Sequence, residues 1–209
     1  MAKDLSASSV KKFRAQRRLN TDLPGLGKMG ALNRRPYAPG QHGASRRKPS
    51  EYAIRLYEKQ KVIAHYGLTE RGLQRFVRDS RQAAINWISE LSRRLELRLD
   101  NIVFRAQFAN SIAAARQFVR HGHILVNGRR ANIGSMVLKV DDVVSVAPAS
   151  HENQTFLTAQ QRPRLDLPTY MEKTDDFSVK VLTDPTTADV PFAYQERFVA
   201  EYYATRGRK

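Results

Sequence analysis

Apolar side chains recur at helical spacing from residue 50 onward, and in the segment before it they show little period. Ser50 follows Pro49 and suits a helix cap, Glu51 favours the positive end of the dipole, and Gly67 ends the run after Tyr66. Ala53, Leu56, Ile63 and Ala64 share one side of this helix, while Arg55, Lys59, Val62 and Tyr66 recur on another. A second helix is expected from Thr69, carrying Leu73, Phe76 and Val77. A third is expected over 85–97, with Trp87, Leu91 and Leu95 at successive i, i+4 positions. Residues 50–97 therefore read as a small helical domain.

The pattern then changes. Residues 98–108 read as a helix, Ser111 caps another over 112–121, and Gly122 closes it in the left-handed conformation. Ile124, Leu125 and Val126 run into Asn127-Gly128, the strongest short signal for a tight hairpin, with a return strand over 129–133. A further strand pair is expected at 137–140 and 143–146, turned at Asp141-Asp142. Two helices on a small antiparallel sheet follow. Farther on, 179–182 and 190–192 read as short strands and 196–203 as a last helix. The first 49 residues, punctuated by prolines and glycines from Pro24 to Pro49, read as an arm that becomes ordered on RNA.

Composition supplies a partner for this pattern. The chain has 209 residues, 36 Lys+Arg against 20 Asp+Glu, a formal charge of +16 and no cysteine. Disulfides, thiolate metal sites and cysteine nucleophiles are thereby excluded. Leu, Ile, Val and Phe make up about 24 % of the residues, enough for a packed core. No apolar run reaches the ~18 to 20 residues of a spanning helix, so a soluble, cytoplasmic protein without a membrane partner is expected. Of the basic residues 25 are Arg and 11 are Lys, a ratio that favours phosphate and base recognition over a lipid surface. The charge is also uneven: +10 over 1–50, +7 over 51–150 and −1 over 151–209. The polyanion contact belongs to the first 150 residues, and the near-neutral tail to packing or protein contacts.

Individual constellations sharpen this. Arg116 and Arg120 lie one turn apart ahead of a hairpin carrying Asn127, Arg129 and Arg130, a geometry suited to gripping two phosphate runs of folded RNA. In the segment YAPGQHG, Tyr37 and His42 suit stacking on unpaired bases and Gln41 a polar contact. Gly25, Gly27 and Gly30 match the dinucleotide fingerprint in spacing, but no strand precedes them and no long helix follows, so they read as turns. His121 and His123 read as helix-end and hairpin residues in place of metal ligands. Asn153-Gln154-Thr155 matches a glycosylation sequon, which a chain without a secretory signal would not have modified. No nucleophile elbow, phosphate-binding loop or zinc-protease helix occurs. Binding outweighs catalysis, and no cofactor or small-molecule substrate is expected.

The segments RRPYAPGQHG (34–43), SEYAIRLYEKQKVIAHYGLTERGLQRF (50–76), RLDNIVFRAQFA (98–109) and ARQFVRHGHILVNGRRANI (115–133) together resemble the fourth small-subunit ribosomal protein (S-four) family of the bacterial and organellar type. The resemblance implies an α+β fold: an extended basic arm (1–49), a small all-helical domain (50–97, completed by a C-terminal helix within 196–209) and an inserted helix-plus-antiparallel-sheet RNA-binding domain (98–195, core module 98–150). It implies primary binding to a multi-helix junction of the small-subunit rRNA, nucleation of subunit assembly, contact with neighbouring ribosomal proteins, a role in decoding accuracy and a basic lining near the mRNA entrance. The RNA-binding residues expected are Arg34, Arg35, Tyr37, Gln41, His42, Arg46 and Arg47 in the arm, Arg55 and Lys59 on the first long helix, and Arg98, Arg116, Arg120, Asn127, Arg129 and Arg130 in the inserted domain. An RNA-modifying enzyme of the pseudouridine synthase type, using the same module for targeting, is the alternative. Two departures stand out. Many relatives carry a four-cysteine zinc knot in the arm, and Ile112 and Ala113 stand where relatives usually place an Arg pair.

Overall fold

The structure, a computed structural model, describes residues 12–45 and 48–206. Arg46 and Arg47 lie outside the described residues. The elements are α1 (Lys12–Leu19), α2 (Ala31–Arg34), α3 (Glu51–Tyr66), α4 (Glu70–Ala83), α5 (Trp87–Glu96), α6 (Leu99–Arg105), α7 (Ile112–Arg120), β1 (Ile124–Val126), β2 (Arg129–Arg130), β3 (Val143–Val146), α8 (Gln154–Gln161), β4 (Met171–Asp175), β5 (Ser178–Val181) and α9 (Glu196–Arg206). Helices combine with one antiparallel sheet, so the fold is α+β.

The helix boundaries follow from local chemistry. Ser50 accepts from the Ala53 amide at 3.2 Å, Thr69 from Gly72 at 3.1 Å, Asn86 from Ser89 at 3.4 Å and Ser111 from Ala114 at 3.2 Å. Each cap satisfies an amide that the first turn leaves without a partner. Helix α9 returns to pack along α3: Tyr52 and Tyr202 meet with ring centroids 6.1 Å apart, and the Gln195 amide donates to Glu58 at 2.8 Å.

The sheet runs β2-β1-β3-β5-β4. Asn127 and Gly128 both take positive φ, 50° and 75°, which matches the right-handed twist of the hairpin strands and pairs Val126 with Arg129. Ile124, Val144, Val146, Val179 and Val181 alternate inward and are buried. Behind them Phe118 of α7 stacks on Phe156 of α8 at 4.3 Å.

Three expectations about strands are corrected. Residues 137–140 form no hairpin with 143–146. Val137 bridges Arg98, and Leu138 donates its amide to Leu97, while β3 pairs with β1 and β5. The Asp142 carboxylate accepts from the Lys139 amide and from Asn127 Nδ2, both at 2.8 Å, while Asp141 sits at φ 73°. That turn sends the chain away from β3. The return strand ends at Arg130, and Ile133 beyond it is exposed. Residues 190–192 form no strand either; Phe192 is apolar because its ring packs at 4.5 Å on the His65 ring.

The arm also differs from the expectation that RNA alone orders it. Ala15 and Leu19 of α1 are buried, and Leu23 is fully so. Gly25 lies so close to α3 and α7 that a Cβ there would meet the His65 carbonyl oxygen at 2.4 Å and Ile112 Cδ1 at 2.7 Å, so no larger residue fits. Its amide donates to His65 Nδ1 at 3.3 Å, which leaves the proton of the neutral ring on Nε2.

Burial, helped by the nearby Arg105, pushes the His65 pKa down to about 3. Between pH 6.5 and that value the unfolded chain binds a proton that the native chain does not, so stability falls as pH falls, by up to about 1.4 kcal/mol per pH unit. Glu96, whose pKa burial raises, acts in the opposite direction, and the His65→Phe variant, which keeps Glu96, isolates the histidine's share. Urea denaturation at pH 7 and pH 5 should show the native protein losing about 2 kcal/mol from this site. His65→Phe should lack that loss.

Candidate nucleic-acid interface

A cleft of about 400 Å³ opens where α4, α7 and residues 132–135 meet, lined by Arg75, Phe76, Arg98, Arg116, Arg120 and Ile133 among others. Four guanidinium groups thus face one space. They are not equivalent.

Asp100, fully buried, holds two of them. Arg98 donates through Nε at 3.0 Å and through Nη2 at 2.7 Å, and Arg116 through the same two nitrogens at 3.0 and 2.7 Å. Arg116 also donates to the carbonyls of Gly67 at 2.9 Å and Tyr66 at 3.1 Å, so it closes the carboxyl end of α3, where a cation favours the dipole. Arg98 is buried, and its guanidinium carbon stands 5.3 Å over the Phe76 ring. Both were expected at the phosphate surface; the structure corrects the placement, with Arg98 buried and Arg116 half-buried at the cleft wall, because a buried carboxylate needs its charge matched by hydrogen-bonding donors and these two supply them. Arg75 and Arg120, by contrast, are exposed and make no hydrogen bond or ion pair among the described residues. Helical spacing aligned Arg116 and Arg120 on one face, but only Arg120 points its charge outward.

Lys59 requires the same correction. It is buried, bonded to Glu70 at 2.6 Å and to Tyr202 Oη at 3.3 Å, with its ammonium 4.5 Å over the Tyr202 ring. Arg55 is half-buried and bridges Glu201 at 2.8 Å and Glu51 at 3.3 Å, contacts that raise its pKa, the Glu201 hydrogen bond most of all. Asn127 is exposed but occupied: its Oδ1 accepts from the Val143 amide at 2.9 Å and its Nδ2 donates to Asp142, so it braces the hairpin tip. Arg129 and Arg130 beside it are exposed and unpaired.

In the arm, Arg34, Arg35, Tyr37, Gln41 and His42 are all exposed. Sequence reasoning missed what holds them. Arg17 Nε donates to the Tyr37 carbonyl at 2.9 Å and Nη2 to that of Ala38 at 3.3 Å, while the guanidinium stands 5.1 Å over the Tyr37 ring. Gln16, buried, donates to the carbonyls of Lys28 and Leu23. Arg75 was missed as well, although Arg71, Arg75 and Arg78 recur at helical spacing between the apolar positions Leu73, Phe76 and Val77. Of the departures noted in the sequence, Ile112 is now explained, because its side chain is buried against Gly25.

A second buried carboxylate lies four residues from the first. Glu96 accepts from Tyr66 Oη, from Tyr170 Oη at 2.8 Å and from Asn101 Nδ2 at 2.9 Å, with Arg105 Nε at 3.9 Å. Burial raises its pKa against the pull of these donors, and raises those of both phenols well above their usual value. Both carboxylates are engaged by protein donors. No group of three or more His, Asp or Glu with metal-binding geometry occurs among the described residues.

The exposed cations without a carboxylate partner among the described residues include members of α4, α7, the hairpin and the arm. Comparison with known proteins gives this arrangement a family. The model for the ribosomal protein S4/S9 N-terminal domain matches residues 9–98, and that for the S4 domain matches 97–144. Small ribosomal subunit protein uS4B of Bdellovibrio bacteriovorus is 50 % identical over 200 residues, covering 94 % of this chain and 96 % of the relative. The chain belongs to the uS4 family. The uS4 proteins of Methylobacillus flagellatus and Nostoc punctiforme are 40 % and 43 % identical, over 93 % and 92 % of this chain and 96 % and 95 % of theirs. The junction of the two matched family models, at residues 97–98, coincides with the break between α5 and α6 that Glu96 and Asp100 flank.

The two kinds of arginine on α7 should separate experimentally. Arg116→Ala leaves part of a buried carboxylate without a donor and is expected to cost about 1–3 kcal/mol in urea denaturation. Arg120→Ala should change stability by less than about 0.5 kcal/mol, yet lower the slope of log affinity for rRNA fragments against log salt by about one.

Proposed function

We propose that this chain is a structural constituent of the small ribosomal subunit that binds rRNA directly and has no chemistry of its own. The observation that carries this is the sorting of cations around the α4–α7 cleft. Arg98 and Arg116 are fixed inside by Asp100, whereas Arg75 and Arg120, with Arg129 and Arg130 on the adjoining hairpin, are left without a partner. Unneutralised arginines on rigid elements, spaced over a helix and a hairpin, suit the phosphate runs of converging RNA helices better than a single base edge. Arg34, Arg35, Tyr37, Gln41 and His42 extend the same surface along the arm. Lys59, Arg55, Arg98, Arg116 and Asn127 act by positioning these elements.

The assembly role follows from the same geometry. A protein that grips several RNA helices at once lowers the entropy of bringing them together, which is how a primary binder nucleates a ribonucleoprotein. The units we assign are the arm to residue 49, the helices of 50–97 with α9, and the inserted 98–195. The near-neutral tail, in which Asp184 pairs with Arg93 at 3.0 Å, serves packing and contact with neighbouring ribosomal proteins. A role in decoding accuracy and a basic lining near the mRNA entrance belong to this reading as well.

Sedimentation tests the placement: the tagged protein should travel with small-subunit particles at moderate salt and not with free protein. For rRNA fragments, the triple variant Arg120→Ala/Arg129→Ala/Arg130→Ala should lower the salt slope by about two to three while its unfolding midpoint stays unchanged. An unchanged slope would detach the α7–hairpin face from the interface. A modified base after incubation with rRNA would instead favour an enzyme.

A further inference from the structure

A second pocket, remote in sequence from the cleft, lies in the arm. About 310 Å³ in volume, it is lined by Phe13 and Arg17 of α1 and by Gly30, Ala31, Arg34 and Arg35 around α2. Its walls combine an aromatic ring with three arginines, and among the described residues no acidic one lines it. Phe13 leaves 43 % of its surface exposed, an unusual place for a phenylalanine, and Lys28 stands 5.3 Å from the ring centre. Arg17 is immobilised by its two carbonyl bonds and by Tyr37, so its planar group is presented without further loss of rotamer freedom. Arg34 and Arg35 are exposed and their side chains make no hydrogen bond or ion pair among the described residues, free to close on a ligand.

An exposed ring, a fixed guanidinium and two mobile ones are the parts that hold an unpaired nucleotide: the base stacks on a ring or guanidinium plane, and the phosphate takes the mobile cations. A duplex offers no such base, because its faces are stacked. A free phosphate or a lipid headgroup makes no use of Phe13. We propose that the Phe13–Arg17–Arg34–Arg35 pocket is a site for a single unpaired nucleotide of an RNA strand. This rests on the rRNA-binding reading and adds a discrimination that the α4–α7 cleft does not supply: single strand from duplex.

The test uses the full chain with two probes, a fluorescein-labelled deca-uridylate and a labelled RNA duplex of ten base pairs, at fixed salt. Phe13→Ala should weaken deca-uridylate binding about tenfold and leave its salt slope unchanged, with duplex binding altered by less than twofold. Arg34→Ala/Arg35→Ala should lower the deca-uridylate slope by one to two. Phe13→Trp should keep the affinity, and its added fluorescence over the native Trp87 should be quenched by deca-uridylate and not by duplex. Loss of the two probes in parallel in Phe13→Ala, no loss of either, or no quenching in a Phe13→Trp variant that binds would each overturn the pocket. If the unsubstituted protein binds neither these probes nor rRNA fragments, the rRNA-binding reading fails with it; if it binds rRNA fragments and Phe13→Ala alters neither probe or both in parallel, the pocket alone is wrong.

Discussion

Two carboxylates without access to solvent, Glu96 and Asp100, fix the relation between the halves of this molecule. Taking them out of water carries a penalty of several kcal/mol each, offset only if every lone pair meets a well-placed donor. The donors come from far along the chain: Tyr66 at the end of α3, Asn101 and Arg105 in α6, Arg116 in α7 and Tyr170 before β4. Satisfying two side chains at the α5–α6 break therefore forces α3, α6, α7 and the sheet into one arrangement. Arg116 strengthens the constraint by bonding the last carbonyls of α3 in the same stroke. A small shift of α7 against α3 would break bonds to Asp100 and to both carbonyls together, which makes the junction rigid.

That rigidity decides what the bulk charge means. The formal +16 is not spread evenly over a surface. Lys59, Arg93, Arg94, Arg98 and Arg116 face carboxylates within the protein. What an anion meets includes Arg34, Arg35, Arg75, Arg120, Arg129 and Arg130, which are exposed and have no carboxylate partner among the described residues. Screening by salt acts on this second population and barely on the first. Electrostatic steering and structural ion pairing are thus assigned to different residues, even when those residues are neighbours on one helix.

Legibility from sequence tracks the range of the interaction. Caps at Ser50, Thr69 and Ser111 bond amides three residues away, so their chemistry is written locally, as is the Asn127-Gly128 turn with its two positive φ angles. Where the decision is made at a distance, local pattern misleads. Residues 137–140 look like a strand partner for 143–146, but Asp142 and Leu97 redirect them. Strand β4, with four of its five residues exposed, offers little apolar alternation to read. Arg116 and Lys59 have the spacing of a basic face, and nothing nearby in sequence reveals that Asp100 and Glu70 turn them inward. Arg120, Arg129 and Arg130 are exposed as their pattern implied, because no carboxylate competes for them among the described residues.

The arm shows the same physics in a segment without a metal. A stretch rich in glycine and proline and lacking cysteine has little apolar period with which to order itself. It does so here by borrowing partners. Gly25 presses against His65 and Ile112, Gln16 ties α1 to the turn at Leu23–Lys28, and Arg17 clamps the start of the YAPGQHG turn. None of these needs an apolar period, since one close backbone approach and two side chains with carbonyl partners suffice to seat Leu19 and Leu23 in the common core. An arm anchored in this way holds Tyr37 and Arg34 in place without a partner molecule, so a ligand meeting them costs less conformational entropy than one meeting a disordered tail with the same charge. Order in the free protein and affinity for RNA are then consequences of one device. Of the residues that supply it, Gln16 and Gly25 carry no charge, and Arg17 uses its own on two backbone carbonyls.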